Sequence, residues 1–102
     1  MTVEEFDLLR KSGSNYYLID VREIDEVEIC KIEPYHHIPM MEIPQHLDRF
    51  PKDIPIVIMC HLGIRSQMTY RYLAEKGFTN IHDLLGGIDQ WAKQIDPKMA
   101  KY

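Results

Sequence analysis

The sequence predicts an α/β fold in which a mostly parallel sheet is layered with helices. Three observations carry that prediction. Several apolar runs are near-continuous rather than alternating, as in strands buried on both faces. Those runs take turns with segments of helical period along the whole chain. Each run also stops abruptly at polar residues or glycine, at Asp20-Val21-Arg22, at Cys60 and at Gly86-Gly87. In parallel sheets, ligands bind beyond the carboxyl ends of the strands, so these stops mark one edge where chemistry is expected.

The first element is a short helix. Thr2 and Glu5 have capping-box spacing, and Val3, Phe6 and Leu9, with Leu8 beside them, recur at helical period until Ser12-Gly13-Ser14 breaks it. Tyr16-Tyr17-Leu18-Ile19 reads as a buried strand that presents Asp20 and Arg22 at its end. The acid-rich residues 23–28, with Ile24 and Val27, fit a short amphipathic helical turn. Residues 32–44 hold three prolines and the pair His36-His37, which predicts an irregular crossing with a short extended piece near Ile38. Pro44 suits the first turn of a helix reaching Phe50.

Pro51-Lys52-Asp53 is a turn, and residues 54–59 form the central strand that delivers Cys60. Ser66 is placed to cap a second long helix running to about Lys76, with Met68, Tyr72 and Leu73 on one face and Gly77 as its C-terminal cap. Residues 80–85 read as another strand, Gly86-Gly87 as a tight exit, and residues 88–95 as a last helix carrying Trp91.

Composition limits what this fold does. A chain of 102 residues with 45% hydrophobic content suits one domain over residues 1–102. At this size about two-thirds of the unfolded chain's surface is buried, so neither disulfides nor a structural metal are needed. The 12 basic residues are scattered among 16 acidic ones for a net charge of −4, which argues against nucleic acid or an anionic membrane as main partner. The first residues lack the basic start and apolar stretch of a secretory signal, and no run approaches the ~20 apolar residues of a membrane helix. A cytoplasmic location is expected, with Cys30 and Cys60 both as thiols. No Cys/His/Asp set has metal spacing, and the adjacent His36 and His37 point to opposite faces of an extended segment, so neither a metal nor another cofactor is expected.

The chemistry concentrates in Cys60-His61-Leu62-Gly63-Ile64-Arg65-Ser66, between a buried strand and a helix. Backbone N–H groups of a tight loop feeding a helix N-terminus point inward and form an anion cradle. A cysteine at its base, with Arg65 in the same loop, is expected to ionise more readily than a free thiol. Gly63 allows a backbone conformation or an approach that a side chain would obstruct.

This segment resembles the active-site loop of the rhodanese family of sulfurtransferases, with the pattern Cys-x-x-Gly-x-Arg-Ser. The likeness extends along the chain. Leu18-Ile19-Asp20-Val21-Arg22 resembles the family's first-strand signature, His37-Ile38-Pro39 its mid-chain motif, and Leu85-Gly86-Gly87-Ile88-Asp89-Gln90-Trp91 its closing motif. The resemblance implies a central parallel sheet of five strands flanked by helices on both faces, and a cysteine that carries sulfur as a persulfide. It also frames the loop length: the six residues from Cys60 to Arg65 make a smaller ring than the related phosphatases have, suited to one sulfur atom rather than a phosphate ester. The expected mechanism is double displacement. Cys60 takes the outer sulfur of a small sulfane donor such as thiosulfate or a persulfide, and a nucleophilic acceptor, small or protein, removes it. Arg65 orders the loop and adds positive potential.

Two segments depart from the family pattern. His61 and Leu62 stand where thiosulfate-using members carry basic side chains, which sets a protein or low-molecular-weight persulfide beside thiosulfate as donor; Met40-Met41 stand where small residues follow Ile-Pro. Other residues have plainer readings. Asp20 and Arg22 are expected to form a salt bridge that supports the site, Cys30 and Trp91 to be structural, and His61 to sit on the loop rim without acting as general base. Gly86-Gly87 is expected to be a close backbone passage beside the loop, with Gly86 in a supporting role. Two further function classes compete: a protein-interaction module in which the cysteine is incidental, and a cysteine-dependent phosphatase or arsenate reductase.

Overall fold

A computed structural model describes all 102 residues. Thr2 Oγ1 accepts the Glu5 N–H at 3.1 Å and the Glu5 carboxylate accepts the Thr2 N–H at 2.9 Å, so the capping box opens helix α1 (Val3–Lys11) as expected. Strand β1 (Tyr17–Asp20), helix α2 (Ile24–Ile29) and the two-residue strand β2 (His36–His37) follow, then a 3-10 segment (Met40–Arg49). Strand β3 (Ile56–Met59), helix α3 (Ile64–Glu75), strand β4 (Ile81–Asp83) and helix α4 (Gly87–Gln94) complete the chain.

All strands run parallel in the order β2-β1-β3-β4, giving four strands where five were expected. Proline bounds two of these strands. Pro39 closes off β2, and Pro55, which has no N–H to give, leaves Ile54 outside β3 although its carbonyl still accepts from Tyr17 at 2.8 Å. The parallel α/β architecture flanked by helices is the one expected.

Alternation along β3 divides the core. Ile56, Ile58 and Cys60 face a cluster with Ile43 of the 3-10 segment and Leu73 of α3, while Val57 and Met59 face Phe6 of α1 and Ile88 and Trp91 of α4. The nucleophile candidate is thus aimed beneath α3 by the pleat of its own strand. From β1 the chain proceeds to β2 on one side, and from β3 to β4 on the other. The carboxyl ends of β1 and β3 therefore flank the point where strand order reverses, which is where open α/β sheets bind ligands.

Three local expectations change. The helix expected from Pro44 to Phe50 is instead a 3-10 segment that begins at Met40 and contains Pro44, whose missing N–H removes an α-helical bond at that point. The residue that caps the start of α3 is Gly63, not Ser66; the Ser66 hydroxyl is engaged elsewhere. The buried face of α3 is Ser66, Thr69 and Leu73, whereas Met68 is exposed. The end of α3 matches expectation. Gly77, at φ +93°, lets its own N–H reach the Ala74 carbonyl and the Phe78 N–H reach the Leu73 carbonyl, both at 3.1 Å.

Candidate active site

Residues 60–66 form a ring around the Cys60 sulfur. Gly63 adopts φ +106°, a left-handed conformation that turns the chain from β3 into α3. The turn brings the Gly63 N–H to 3.1 Å and the Ser66 N–H to 3.4 Å from Cys60 Sγ. The N–H groups of Ile64 and Arg65, the first two of α3, bond to no acceptor within the chain. Two donors thus hold the sulfur and two remain free at a helix start, an arrangement that stabilises negative charge on Sγ or on an atom attached to it. Cys60 lies buried beneath this ring, and Leu62 and Ile64 are exposed on its outer side.

The sulfur has one further partner. The Cys60 thiol donates to Ser66 Oγ at 3.4 Å, and Ser66 Oγ donates to the Asp83 carboxylate at the end of β4. Ser66 is fully buried, and burial pushes the Asp83 carboxyl above its ordinary value.

The outside of the loop is fixed by α4. Ile88 N–H donates to the Cys60 carbonyl at 2.9 Å and Asp89 N–H to the His61 carbonyl at 3.0 Å, which commits these two loop carbonyls to α4. Gly87 makes this approach possible: a Cβ there would lie 2.5 Å from the Cys60 carbonyl oxygen and 2.4 Å from that of His61. Gly86 precedes it at φ +79° as the N-cap of α4. The expected passage beside the loop is present, with Gly87 as the residue in closest contact.

Arg65 reaches away from the sulfur to α2. Both of its terminal nitrogens donate to Glu26, each at 2.7 Å, and this bidentate pair holds the Glu26 carboxyl down at about 2. Arg65 therefore ties the start of α3 to α2, while the positive potential expected of it is offset by Glu26. Asp20 and Arg22 form the expected salt bridge, both fully buried at 2.8 Å. Burial works against the Arg22 charge, but Asp20 and Tyr102 more than offset it and hold the guanidinium above its ordinary value. Arg22 also donates to the Cys30 carbonyl at 2.7 Å and the Glu26 carbonyl at 3.2 Å, so it braces the far end of α2. Cys30 sits half-buried against the core, as a structural cysteine would.

The final residue returns to this edge. The Tyr102 ring stacks on His61 with centroids 3.8 Å apart, and its hydroxyl accepts from Arg22 at 3.0 Å and donates to Glu26 at 2.9 Å. His61 is thus a rim residue, as expected. Met40 and Met41 line an apolar hollow of about 210 Å³ with Met68 and Tyr72; Met40 is half-buried and packs against the core, while Met41 is exposed on the rim. Glu26, Asp83 and Tyr102 were not legible as site residues from the sequence, since each meets the loop only through the tertiary fold.

A buried cysteine whose sulfur accepts loop N–H groups at the switch point of a parallel sheet is a candidate nucleophile, and comparison with known proteins gives the family. The family described as Rhodanese-like domain matches residues 2–94, and the chain belongs to that family. "Putative sulfurtransferase YtwF" of Bacillus subtilis (strain 168) is 39% identical over 88 residues, covering 86% of this chain and 84% of that protein. "Thiosulfate sulfurtransferase GlpE" of Coxiella burnetii (strain RSA 331 / Henzerling II) is 29% identical over 89 residues, covering 87% and 81%. "Adenylyltransferase and sulfurtransferase MOCS3-1" of Zea mays is 30% identical over 109 residues, and the chain spans only 23% of that protein's length. Among solved structures, SSP1007 of Staphylococcus saprophyticus superposes with a TM-score of 0.82 at 28% identity, covering 93% of this chain and 94% of that one. No helix is long and apolar enough to cross a membrane.

Proposed function

We propose that this protein is a sulfurtransferase that carries sulfane sulfur on Cys60 as a persulfide. The observation that carries the reading is the ring of N–H groups around Sγ: Gly63 and Ser66 hold the sulfur, and Ile64 and Arg65 offer free donors for a second sulfur attached to it. In the first step the Cys60 thiolate attacks the outer sulfur of the donor. The S–S bond of the donor breaks, its electron pair leaves with the remainder, and Cys60 keeps one sulfur; with thiosulfate the leaving group is sulfite. In the second step an acceptor nucleophile bonds to that outer sulfur and Cys60 departs as the thiolate. The loop amides stabilise the anion in both forms without rearranging. Arg65, locked to Glu26, and Gly87, packed on the loop carbonyls, act by keeping those amides aimed inward.

Names of relatives support this reading, YtwF and GlpE being called sulfurtransferases. The acceptor is proposed to be a small thiol or a protein that docks at the loop rim, and the site of action to be the cytoplasm. Intact-mass measurement after exposure to thiosulfate, and separately to a persulfide donor, tests the proposal. The wild-type protein is expected to gain one sulfur atom at Cys60 and to yield thiocyanate with cyanide, and Cys60→Ser to do neither. Absence of the mass gain with every sulfane donor overturns it.

A further inference from the structure

We propose that Asp83, acting through the Ser66 hydroxyl, sets which protonation state of Cys60 the site holds. A single hydroxyl proton lies between two claimants. The Ser66 hydroxyl is fully buried, its oxygen is within hydrogen-bond reach of both Cys60 Sγ and the Asp83 carboxylate, and it has only one hydrogen to give. While Asp83 is ionised it takes that hydrogen, so Ser66 can only accept from sulfur, and the thiol form of Cys60 is favoured. When the thiol proton passes to Ser66 and the Ser66 proton to Asp83, Cys60 becomes a thiolate, Asp83 a neutral acid and Ser66 a donor to sulfur. Charge and atoms balance, and no water or outside base takes part. Asp83 and Cys60 therefore share one proton and titrate as a pair.

The surroundings leave this pair largely to itself. Asp83 is the last residue of β4 and lies opposite Ile58 of β3, an apolar neighbour. The nearest charge on Asp83 is the Met1 ammonium, which donates to the Asp83 backbone carbonyl at 3.0 Å and opposes the upward push of burial on the carboxyl. His82, beside it on β4, turns to Asn80 at 3.1 Å. On the sulfur side the nearby cation is Arg65, which Glu26 holds. The inference deepens the sulfur-transfer reading in one respect that rests on it: when an acceptor strips the outer sulfur, the departing thiolate recovers its proton from Asp83 by the same route. Asp83 is thus a positioning residue rather than a catalytic one.

The pH dependence of Cys60 alkylation by iodoacetamide tests this without any sulfur chemistry. Asp83→Asn removes the carboxylate's claim on the hydroxyl, so the midpoint of alkylation is expected to move to lower pH by about one unit, a factor of about ten in reactivity on the acid side. Through-space repulsion by Asp83 would shift it the same way, and Ser66→Ala separates the two. On the Ser66→Ala background Asp83→Asn is expected to have almost no effect if the hydroxyl carries the coupling; an undiminished shift there overturns the proposal, as does no shift in Asp83→Asn itself. Should Ser66→Ala fail to fold, carbon NMR of the wild-type Asp83 carboxyl decides: a second inflection at the pH where Cys60 ionises, absent in Cys60→Ser, is expected, and a single inflection overturns the pairing. A midpoint shift in a protein that never gains sulfur would sink the function and leave this pair; sulfur loading with no shift would do the reverse.

Discussion

Glu26 shows how one carboxylate disciplines a loop it does not belong to. It accepts both terminal nitrogens of Arg65 and the Tyr102 hydroxyl, and its backbone carbonyl accepts from Arg22, so three strands of the site's support meet on one residue of α2. Its carboxyl is held at about 2 chiefly by Arg65, against an ordinary carboxylate value of about 4.3. A lowered folded-state value stabilises the fold above the unfolded value, and that contribution disappears as pH falls toward 2. Because Glu26 and Arg65 both keep some exposure to water, the contribution at neutral pH is on the order of 1–2 kcal/mol rather than the full shift. Glu26→Gln is accordingly expected to lower stability to urea by that amount at pH 7. The gap between the two proteins should narrow between about pH 5 and pH 2. A gap that stays constant over this range would show that the pair contributes through packing alone.

Helix ends do different jobs in this fold, and two glycines at positive φ tell them apart. Gly77 ends α3 at φ +93° with open space where a Cβ would go, while Gly87 opens α4 at φ +61° with the Cys60 and His61 carbonyls where a Cβ would go. Gly77→Ala is expected to cost about 1 kcal/mol, the penalty of the left-handed conformation alone, with sulfur loading unchanged. Gly87→Ala carries that penalty plus a backbone collision that must displace either α4 or the loop, so a loss of about 3 kcal/mol or more and of most sulfur loading is expected. Urea midpoints and intact mass on the two variants measure both effects; equal costs would mean that α4 does not brace the loop. Gly77 was legible in the sequence as a helix end and Gly87, with Gly86, as a tight passage beside the loop, as were the capping box at Thr2 and the Asp20–Arg22 bridge two residues apart. Glu26, Asp83 and Tyr102 were not, because each finds its partner 39, 17 or 76 positions away, and nothing local distinguishes them from other surface acids and a terminal tyrosine. The 3-10 segment was misread for another reason: Pro44 fits the first turn of an α-helix as well as the interior of a 3-10 segment that begins four residues earlier at Met40, so the proline alone does not tell the two apart.

Charge is where the molecule as a whole bears on the chemistry of the loop. The protein carries a net −4, and the only permanent cation in residues 60–66 is Arg65. Since Glu26 neutralises Arg65 and Asp20 neutralises Arg22, neither guanidinium near the site projects an unpaired positive charge. Glu23, Asp25 and Glu42 add an acidic rim to an open depression of about 740 Å³ at the carboxyl ends of β1 and β2. On the proposed reading, a dianion such as thiosulfate meets amide donors at short range but no long-range attraction at this edge. Loading from thiosulfate is therefore expected to stay within about twofold, or to rise, when salt is increased from low to about 0.5 M, because screening removes repulsion rather than attraction. Glu26→Gln reverses the sign of the salt effect: it removes a negative charge and leaves the Arg65 guanidinium without a neutralising partner, so its thiosulfate loading should fall as salt is added, whatever the loosened clamp does to its absolute rate. Rates of sulfur gain by Cys60, followed by quenched mass spectrometry across the salt series, measure both. A wild-type rate that falls steeply with salt would mean that Arg65 attracts the donor despite its pairing, and would return thiosulfate to the front as the donor this loop is built to take.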